Sequence, residues 1–288
     1  MKLDGRRESQ NVDDRRHLSG GAKAGMGIGG IIIAALFTWF MGGNPLSVLQ
    51  NVDMNSLSVQ TPQGQRQATP EEEELASFSK KVLASTEDVW TKVFKEQLGA
   101  EYRAPKLVLY TGSVQTGCGA GNAQVGPFYC SADEALYIDL SFFSEMKKTL
   151  GADGDFAYAY VIAHEVGHHV QHLLGTLNQG HSQMARMSQA EANKVSVRIE
   201  LQADFYAGMW GHYEQQIFGS LEDGDLEEAI DCAQKIGDNY LQEKARGYSQ
   251  PESFTHGTSA QRMRWLKRGL TTGDIRQGDT FSVPESQL

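Results

Sequence analysis

The sequence predicts an α+β protein, mainly helical with a small β-sheet, in which one transmembrane helix precedes a single folded domain. Three observations lead to this prediction. An apolar run without charged residues occupies residues 24–43, two short β-rich segments follow it, and long segments of helical periodicity make up most of the remainder. Because the strands come before most of the helices and do not alternate with them, an α+β arrangement is favoured over α/β.

Charge is unevenly distributed along the 288 residues, whose formal net charge is −10. Residues 1–23 carry six basic and four acidic side chains, so the rest of the chain is strongly acidic. An acidic domain without a clustered basic face argues against nucleic-acid binding. Residues 1–22 are polar and lack apolar periodicity, which predicts a disordered tail.

The apolar run reads "AGMGIGGIIIAALFTWFMGG". A helix of about 20 residues spans roughly the 30 Å of a bilayer core, so we expect a transmembrane helix over residues 23–43 rather than a buried core helix. No Lys or Arg lies between residues 24 and 65. The positive-inside rule therefore predicts a single-pass anchor with a cytoplasmic N-terminus and with everything after residue 43 outside.

The polar residues 44–68 predict a linker, followed by a domain over residues 69–272 and a C-terminal tail over 273–288. Thr69 and Pro70 suit the N-cap and first position of a helix that ends at Gly99. The segments "KLVLYTGSV" (106–114) and "ALYIDLSFF" (135–143) predict strands. We interpret the second as either an edge strand for a bound peptide or an internal strand.

Three more helices complete the domain. The first runs through "FAYAYVIAHEVGHHVQHLLG" to Gly175. The second begins at Ser188, where Glu191 completes a capping-box pattern, and continues to about Gly219. The third covers roughly residues 225–246.

Cys118 and Cys130 bracket a glycine-rich loop, and in an oxidising compartment they are candidates for a disulfide. A cysteine metal site is less favoured because the spacing matches no zinc module. Cys232 is expected to be a buried apolar residue.

The stretch "HEVGH" places His164 and His168 four residues apart on a predicted helix. Both imidazoles then project from one face and can meet the same ion. Glu165 is rotated about 100° from His164, where its carboxylate can reach a water on the open side of that ion. This is the pattern that HExxH gives in metalloproteases.

His169 points away from this face, and His172 lies too far along the axis to share the ion with His164. The third ligand is expected from "VRIELQADFYAG" (197–208), where Glu200 and Asp204 are again four residues apart. Glu200 would complete a His₂Glu set, and Asp204 would accept the outer N–H of a ligand histidine. The alternative is that both acids only cap or solvate a helix.

The segments "HEVGHHVQ", "RIELQADFYAGMW", "IGDNYLQ" and "FTHGTSAQRMRWLKRG" resemble the bacterial putative neutral zinc metallopeptidase family, over nearly the whole chain. The pairing of HExxH with ExxxD is also similar to that of gluzincins. The resemblance implies a zincin-like domain and one zinc ion bound by His164, His168 and Glu200. It also implies a single-pass anchor in the bacterial inner membrane, with the domain on the periplasmic or extracellular side. It further implies that Glu165 is the general base and acid.

His256 and Arg262 resemble the histidine and arginine, six positions apart, that follow the metal-binding segments of membrane gluzincins. The resemblance implies that His256 stabilises an oxyanion and that Arg262 holds Asp204. The alternative is a helix cap at Ser253 or Thr255 and a surface ion pair at Arg262.

We therefore expect a membrane-anchored zinc metallopeptidase that cleaves peptides or proteins. Two other interpretations remain at this point. One is a catalytically silent zinc-binding scaffold at the envelope, and the other is hydrolysis of an amide in cell-wall material.

Overall fold

The structure, a computed structural model, describes residues 1–16, 68–122 and 126–288. The predicted transmembrane helix over residues 23–43 and nearly all of the predicted linker over 44–68 lie outside these ranges. Within the described ranges, no helix combines the length and the apolar character needed to cross a bilayer.

The N-terminal residues belong to the folded domain. Strand β1 (Val12–Asp14) pairs in parallel with strand β2 (Lys106–Tyr110), and the side chains of Met1 and Leu3 are buried in the main core. The prediction of a disordered tail over residues 1–22 is therefore wrong for residues 1–16. Pairing with a distant strand and ion pairs to distant helices stabilise this segment, which lacks the apolar periodicity of an independent element.

A buried ion pair fastens this segment to the helical part of the domain. The Arg6 guanidinium donates to the fully buried Glu214 carboxylate at 2.9 Å, which also accepts from the Ser85 and Ser220 hydroxyls. Residues 1–16 are therefore part of the same folded unit as the helices.

The main sheet lies on one side of the helices. A hairpin of β3 (Ser113–Thr116) and β4 (Gly119–Asn122) precedes β5 (Phe128–Cys130) and β6 (Ala135–Asp139). The sheet order is β1-β2-β6-β5, with β5 antiparallel to β6 and the other pairs parallel. The segment predicted as a possible edge strand, β6, is thus internal, and β1 and β5 form the two edges.

The strand predicted over 135–143 ends early. The Asp139 carboxylate accepts the backbone N–H of Ser141 at 3.0 Å, and helix α2 (Ser141–Glu145) begins there and continues as a π-helical turn to Leu150. Helix α1 (Pro70–Val93) starts with the predicted Thr69 cap, and a π-helical turn extends it to Leu98.

Most of the core lies among the later helices. These are α3 (Asp155–Leu173), α4 (Thr176–Met184), α5 (Gln189–Phe218), α6 (Asp225–Lys235), α7 (Asp238–Arg246) and α8 (Ser259–Thr272). The capping box of Ser188 and Glu191 at the start of α5 is present as predicted.

Two predicted boundaries differ from the structure. The helix expected over 225–246 is broken at Ile236–Gly237, because the Gly237 backbone lies against Ser259: a Cβ there would be 2.4 Å from the Ser259 nitrogen. Residues 273–288 were predicted as a tail beyond the domain, but Ile275 and Leu288 are buried and Thr280 donates to the Arg198 carbonyl.

Helices α5 and α8 touch backbone to backbone. A Cβ on Gly208 would lie 2.2 Å from the Leu266 carbonyl oxygen, and one on Gly269 would lie 2.1 Å from that of Phe205. Only glycine permits this approach. The contact sets the position of Arg262, two turns earlier on α8, relative to Asp204 on α5.

Candidate metal centre

The site forms where α3 crosses α5. Gly167 makes the crossing close, because a Cβ there would lie 2.8 Å from the Ala203 carbonyl oxygen. His164 and His168 lie one turn apart on α3, and Glu200 faces them from α5. Helical spacing within each element and the close crossing between them therefore bring the three side chains together.

The ligand atoms of this group meet at one point. One nitrogen of each histidine and a Glu200 carboxylate oxygen all lie within 4.8 Å of one another. The Nε2 atom of His164 is 3.1 Å from Glu200 Oε2, and that of His168 is 3.5 Å from Oε1. The structure thus brings His164, His168 and Glu200 together, as the sequence predicted.

Asp204 orients the first histidine. Its Oδ1 atom accepts from His164 Nδ1–H at 2.8 Å and from the Tyr160 hydroxyl at 2.6 Å. The Arg262 guanidinium donates to both carboxylate oxygens, at 2.8 and 2.9 Å. Because Nδ1–H donates to Asp204, Nε2 is the ring nitrogen that faces Glu200 and the position that a metal ion would take.

Gln171 orients the second histidine, a contact that the sequence did not lead us to expect. Its amide NH₂ donates to the Ile199 carbonyl and to Gln202, so its oxygen faces His168 Nδ1 at 2.9 Å. This acceptor keeps the proton of His168 on Nδ1, so that Nε2 is the nitrogen available to a metal ion. Its position three residues after His168 on a helix was the available signal.

The charges of the site favour a cation. Burial opposes protonation of His164, but Asp204 and Glu200 outweigh it and raise its pKa to about 10. Burial likewise opposes protonation of His168, but the Glu200 carboxylate raises the pKa of this histidine. The Glu200 carboxylate is also buried, yet the neighbouring histidines hold its pKa well below the usual range.

Glu165 lies beside this group without belonging to it. Its carboxyl group is 8% exposed and lines the same cavity, of about 650 Å³, as the two histidines and Glu200. Burial raises its pKa despite the opposing effect of His168 and His164. A carboxyl group with a raised pKa beside a metal position is suited to take up and release a proton.

His256 also lines the cavity, and Asp238 lies behind it. The fully buried Asp238 carboxylate accepts, through Oδ2, the backbone N–H groups of residues 255–257 at 2.7–3.0 Å. Its Oδ1 atom lies 3.4 Å from His256 Nδ1. No local sequence pattern predicted a role for Asp238, because the contact depends on the helix break at Gly237.

Strand β5 is joined to helix α3 through His169. His169 Nε2–H donates to the Arg103 carbonyl at 2.6 Å, and Nδ1 accepts from the Tyr129 hydroxyl of β5 at 2.9 Å. Burial lowers the pKa of His169 to about 4, so the ring is neutral. A disulfide between Cys118 and Cys130, the pair identified in the sequence, also holds β5.

This donor set fits zinc. Two imidazoles that present Nε2 atoms and one carboxylate match the three-ligand set of catalytic zinc sites, in which a fourth position stays open. The oriented Nδ1 atoms match the hydrogen bonds usual for histidines that bind zinc. The excess of carboxylates adds a field that attracts a cation.

Comparison with known proteins places the chain in a family. Residues 1–281 match the family described as Putative neutral zinc metallopeptidase, and the chain belongs to it. It is 51% identical over 294 aligned residues to Uncharacterized protein YpfJ of Escherichia coli, covering 98% of this chain and 99% of that protein. It is 41% identical over 194 residues to Uncharacterized protein Rv2575 of Mycobacterium tuberculosis, covering 64% of each chain. No solved structure matches.

Proposed function

We propose that this protein is a zinc-dependent metallopeptidase of the gluzincin type that hydrolyses bonds in peptides or proteins. The observation that carries the proposal is the position of Glu165. A carboxyl group of raised pKa lies in the same cavity as a convergent His₂Glu set and outside that set. A purely structural metal site has no need for such a group.

His164, His168 and Glu200 would hold the ion. Bound zinc supplies a Lewis acid that polarises a carbonyl and lowers the pKa of water. Glu165 takes the proton from the attacking water and returns it to the nitrogen of the leaving amine. Asp204, held by Arg262, and Gln171 keep the two imidazoles in the binding orientation.

His256 is assigned to the oxyanion that develops on the substrate carbonyl. The geometry supports this role because His256 faces the cavity, while its Nδ1 atom lies 2.9 Å from Thr255 Oγ1 and 3.4 Å from Asp238 Oδ1. Asp238 acts as a positioning residue, since it also holds the backbone on both sides of His256. A donor of this kind contributes about 3–4 kcal/mol to transition-state stabilisation.

The peptide is assigned to strand β5. This strand is the antiparallel edge of the sheet, and Phe128 and Tyr129 line the cavity. A substrate that adds to the edge forms main-chain hydrogen bonds and presents a carbonyl to the metal group.

Location in the cell envelope, on the periplasmic or extracellular side of the bacterial membrane, is part of the proposal. The Cys118–Cys130 disulfide supports it, because disulfides persist in oxidising compartments. Membrane attachment is proposed from the apolar sequence of residues 24–43. Because residues 1–16 pack on the domain, this run would enter and leave the membrane on the side of the domain.

The test compares the full-length zinc-loaded protein with Glu165→Gln on an unfolded protein substrate. We expect the variant to bind zinc normally and to lose at least about 100-fold in rate, because general acid–base catalysis contributes 10²–10⁴-fold. Glu101→Gln, at an exposed loop residue, is the matched control and should retain full activity. Equal cleavage by wild type and Glu165→Gln would overturn the mechanism, and absence of any cleavage would favour the scaffold.

A further inference from the structure

The Cys118–Cys130 disulfide joins two parts of the cavity wall. Cys118 lies in the turn between β3 and β4, and Cys130 is the last residue of β5. Cys118 lines the same cavity as the metal group, together with Phe128 and Tyr129 of β5. The bridge therefore fastens the hairpin of β3 and β4 to the strand that we assign to the substrate.

The hairpin has little to hold it apart from this bridge. Within the described residues its two strands pair only with each other, and a two-stranded hairpin is marginally stable in water. It lies close against β5, because a Cβ on Gly121 would be 2.6 Å from the Phe128 ring. A single backbone contact at the turn, from Gly117 N–H to Asp133 Oδ2 at 2.7 Å, is exposed to solvent.

Strand β5 is also short and lies at an edge. In the part of the chain that the structure describes, its three residues pair with β6 alone, and Tyr129 donates to His169 at 2.9 Å. The bridge joins positions that are 12 residues apart. Closing a loop of this size favours the ordered arrangement by roughly 100-fold. The bridge is therefore a large part of what keeps the hairpin ordered on β5.

The two sulfur atoms have opposite surroundings. Cys118 is exposed, whereas Cys130 is fully buried. Cys130 belongs to a small apolar cluster beneath the hairpin that includes Val108, Tyr110 and Val114. A reductant therefore reaches the bridge at Cys118, and the Cys130 thiol that is released is a small apolar group suited to its surroundings.

The exchange needs a dithiol as its co-reactant. A thiolate of the dithiol attacks Cys118 Sγ, the bond between the two sulfur atoms breaks, and Cys130 leaves as a thiolate that takes up a proton. The second thiol of the dithiol then breaks the mixed disulfide and releases Cys118. The protein disulfide is reduced to two thiols, and the dithiol is oxidised to a disulfide.

The metal group does not depend on the bridge. His164 and His168 lie on α3 and Glu200 lies on α5, and neither helix contains a cysteine. The two helices are held together by their own close contact at Gly167. Reduction therefore leaves the three side chains in place and loosens the wall that receives the peptide.

We propose that Cys118 and Cys130 form a reversible thiol–disulfide switch of the peptide-binding edge. The bridged protein binds and cleaves its substrate, and the reduced protein keeps its metal group but binds substrate weakly. This inference rests on the proposed function. A peptidase with this switch is inactive in a reducing compartment and becomes active when it is oxidised outside it, which protects the proteins of the compartment where it is made.

The first test assays full-length, zinc-loaded protein on an unfolded protein substrate before reduction, after reduction and after reoxidation. A trialkylphosphine is the reductant, and it takes the oxygen of water to become a phosphine oxide as the disulfide becomes two thiols. We expect kcat/KM to fall at least about tenfold, mainly through a rise in KM, and to recover on reoxidation with unchanged zinc content. Full activity of the reduced protein would overturn the switch and leave the peptidase assignment intact.

Variants assign the effect to the bridge. Cys118→Ala should have the low kcat/KM of the reduced wild type and should not respond to the phosphine. Gln115→Ala, at an exposed residue of the same hairpin, keeps both cysteines and is the matched control. It should retain the activity of the wild type and its response to the phosphine. Equal activity of Cys118→Ala and Gln115→Ala would contradict the proposal.

Hydrogen exchange measures the switch without turnover. We expect reduction to speed amide exchange in the hairpin and in β5 by at least about tenfold, because these segments then open locally. The internal pair of β2 and β6 should exchange at the same rate in both forms. Unchanged exchange in the hairpin and β5 would overturn the switch, whereas failure of the proposed function would appear separately as absent cleavage by the bridged wild type.

Discussion

The Asp204 carboxylate lies between His164 and Arg262, and its Oδ1 atom is 2.8 Å from the histidine Nδ1 atom. The same carboxylate accepts two hydrogen bonds from the Arg262 guanidinium, which is 3% exposed. One residue therefore orients a proposed metal ligand and neutralises a buried cation. Its loss should affect metal affinity and stability together.

Asp204→Asn tests this double role. We expect the free energy of unfolding to fall by about 3–5 kcal/mol, because Arg262 is left as a buried charge without its partner. Zinc affinity should fall about 10–100-fold, the usual cost of removing a group that orients a metal-binding histidine. Urea unfolding in chelator and competitive zinc titration measure the two effects. Asp231→Asn, at an exposed position on α6, is the control, and equal stability of the two variants would contradict the prediction.

Metal removal should destabilise the wild type but not a ligand variant. A chelator should lower the Tm of the wild type, because a ligand at about 1,000 times its Kd contributes about 4 kcal/mol to stability. Glu200→Gln removes the carboxylate ligand, so its Tm should be insensitive to the chelator. Thermal unfolding with and without added zinc measures this. The ligand assignment is wrong if Glu200→Gln binds zinc with wild-type affinity.

Asp238 and His256 should act as one unit in catalysis. We expect His256→Ala and Asp238→Asn each to lower kcat by about 100-fold, with little change in KM, because the oxyanion develops only in the transition state. The double variant should be little worse than either single one, since both remove the same interaction. Steady-state kinetics and zinc content are the measurements. A fully additive loss, or a rise in KM with unchanged kcat, would assign Asp238 a structural role only.

The N-terminal segment should be required for stability. Arg6→Ala leaves Glu214 buried without its cation and should lower the free energy of unfolding by about 3 kcal/mol or more. Arg7→Ala is a matched control, because Arg7 is half exposed and pairs with Glu87 and Asp88 at the surface. Its loss should change stability by about 1 kcal/mol or less. Similar unfolding midpoints for both variants would contradict the prediction.

Residues 1–16 and the domain should also occupy one compartment. Lys2→Cys and Lys194→Cys place single reactive thiols on exposed residues of the two parts, since Cys232 is buried and Cys118 is bonded to Cys130. We expect a membrane-impermeant maleimide to label both variants equally in intact cells or spheroplasts. Protection of Lys2→Cys together with labelling of Lys194→Cys would show that β1 and β2 are not paired in the cell.

Local spacing predicted much of the site. His164 and His168 on one helix, and Glu200 and Asp204 on another, are separated by four residues, and helical geometry converts that spacing into shared faces. The approach of Arg262 to Asp204 also agrees with the expectation from resemblance. The expectation for Arg262 came from the resemblance alone, because no local pattern relates residues that lie 58 positions apart.

Contacts set by the tertiary fold were not predicted. Strand β1 has three residues, and its pairing with β2 spans about 95 positions, so no local pattern could reveal it. The contact of Asp238 with residues 255–257 depends on a helix break. Periodicity did not predict this break, because Ile236 continues the apolar pattern. The edge position of β5 likewise depends on the sheet order rather than on its own short sequence.

The close packing of α5 against α8 requires glycine at positions 208 and 269. Gly269 lies seven residues after Arg262, or about 10 Å along the helix. A single methyl group there would wedge the two helices apart and withdraw the guanidinium from its carboxylate. The alignment of the reacting groups thus depends on two residues without side chains, at a place that no substrate reaches.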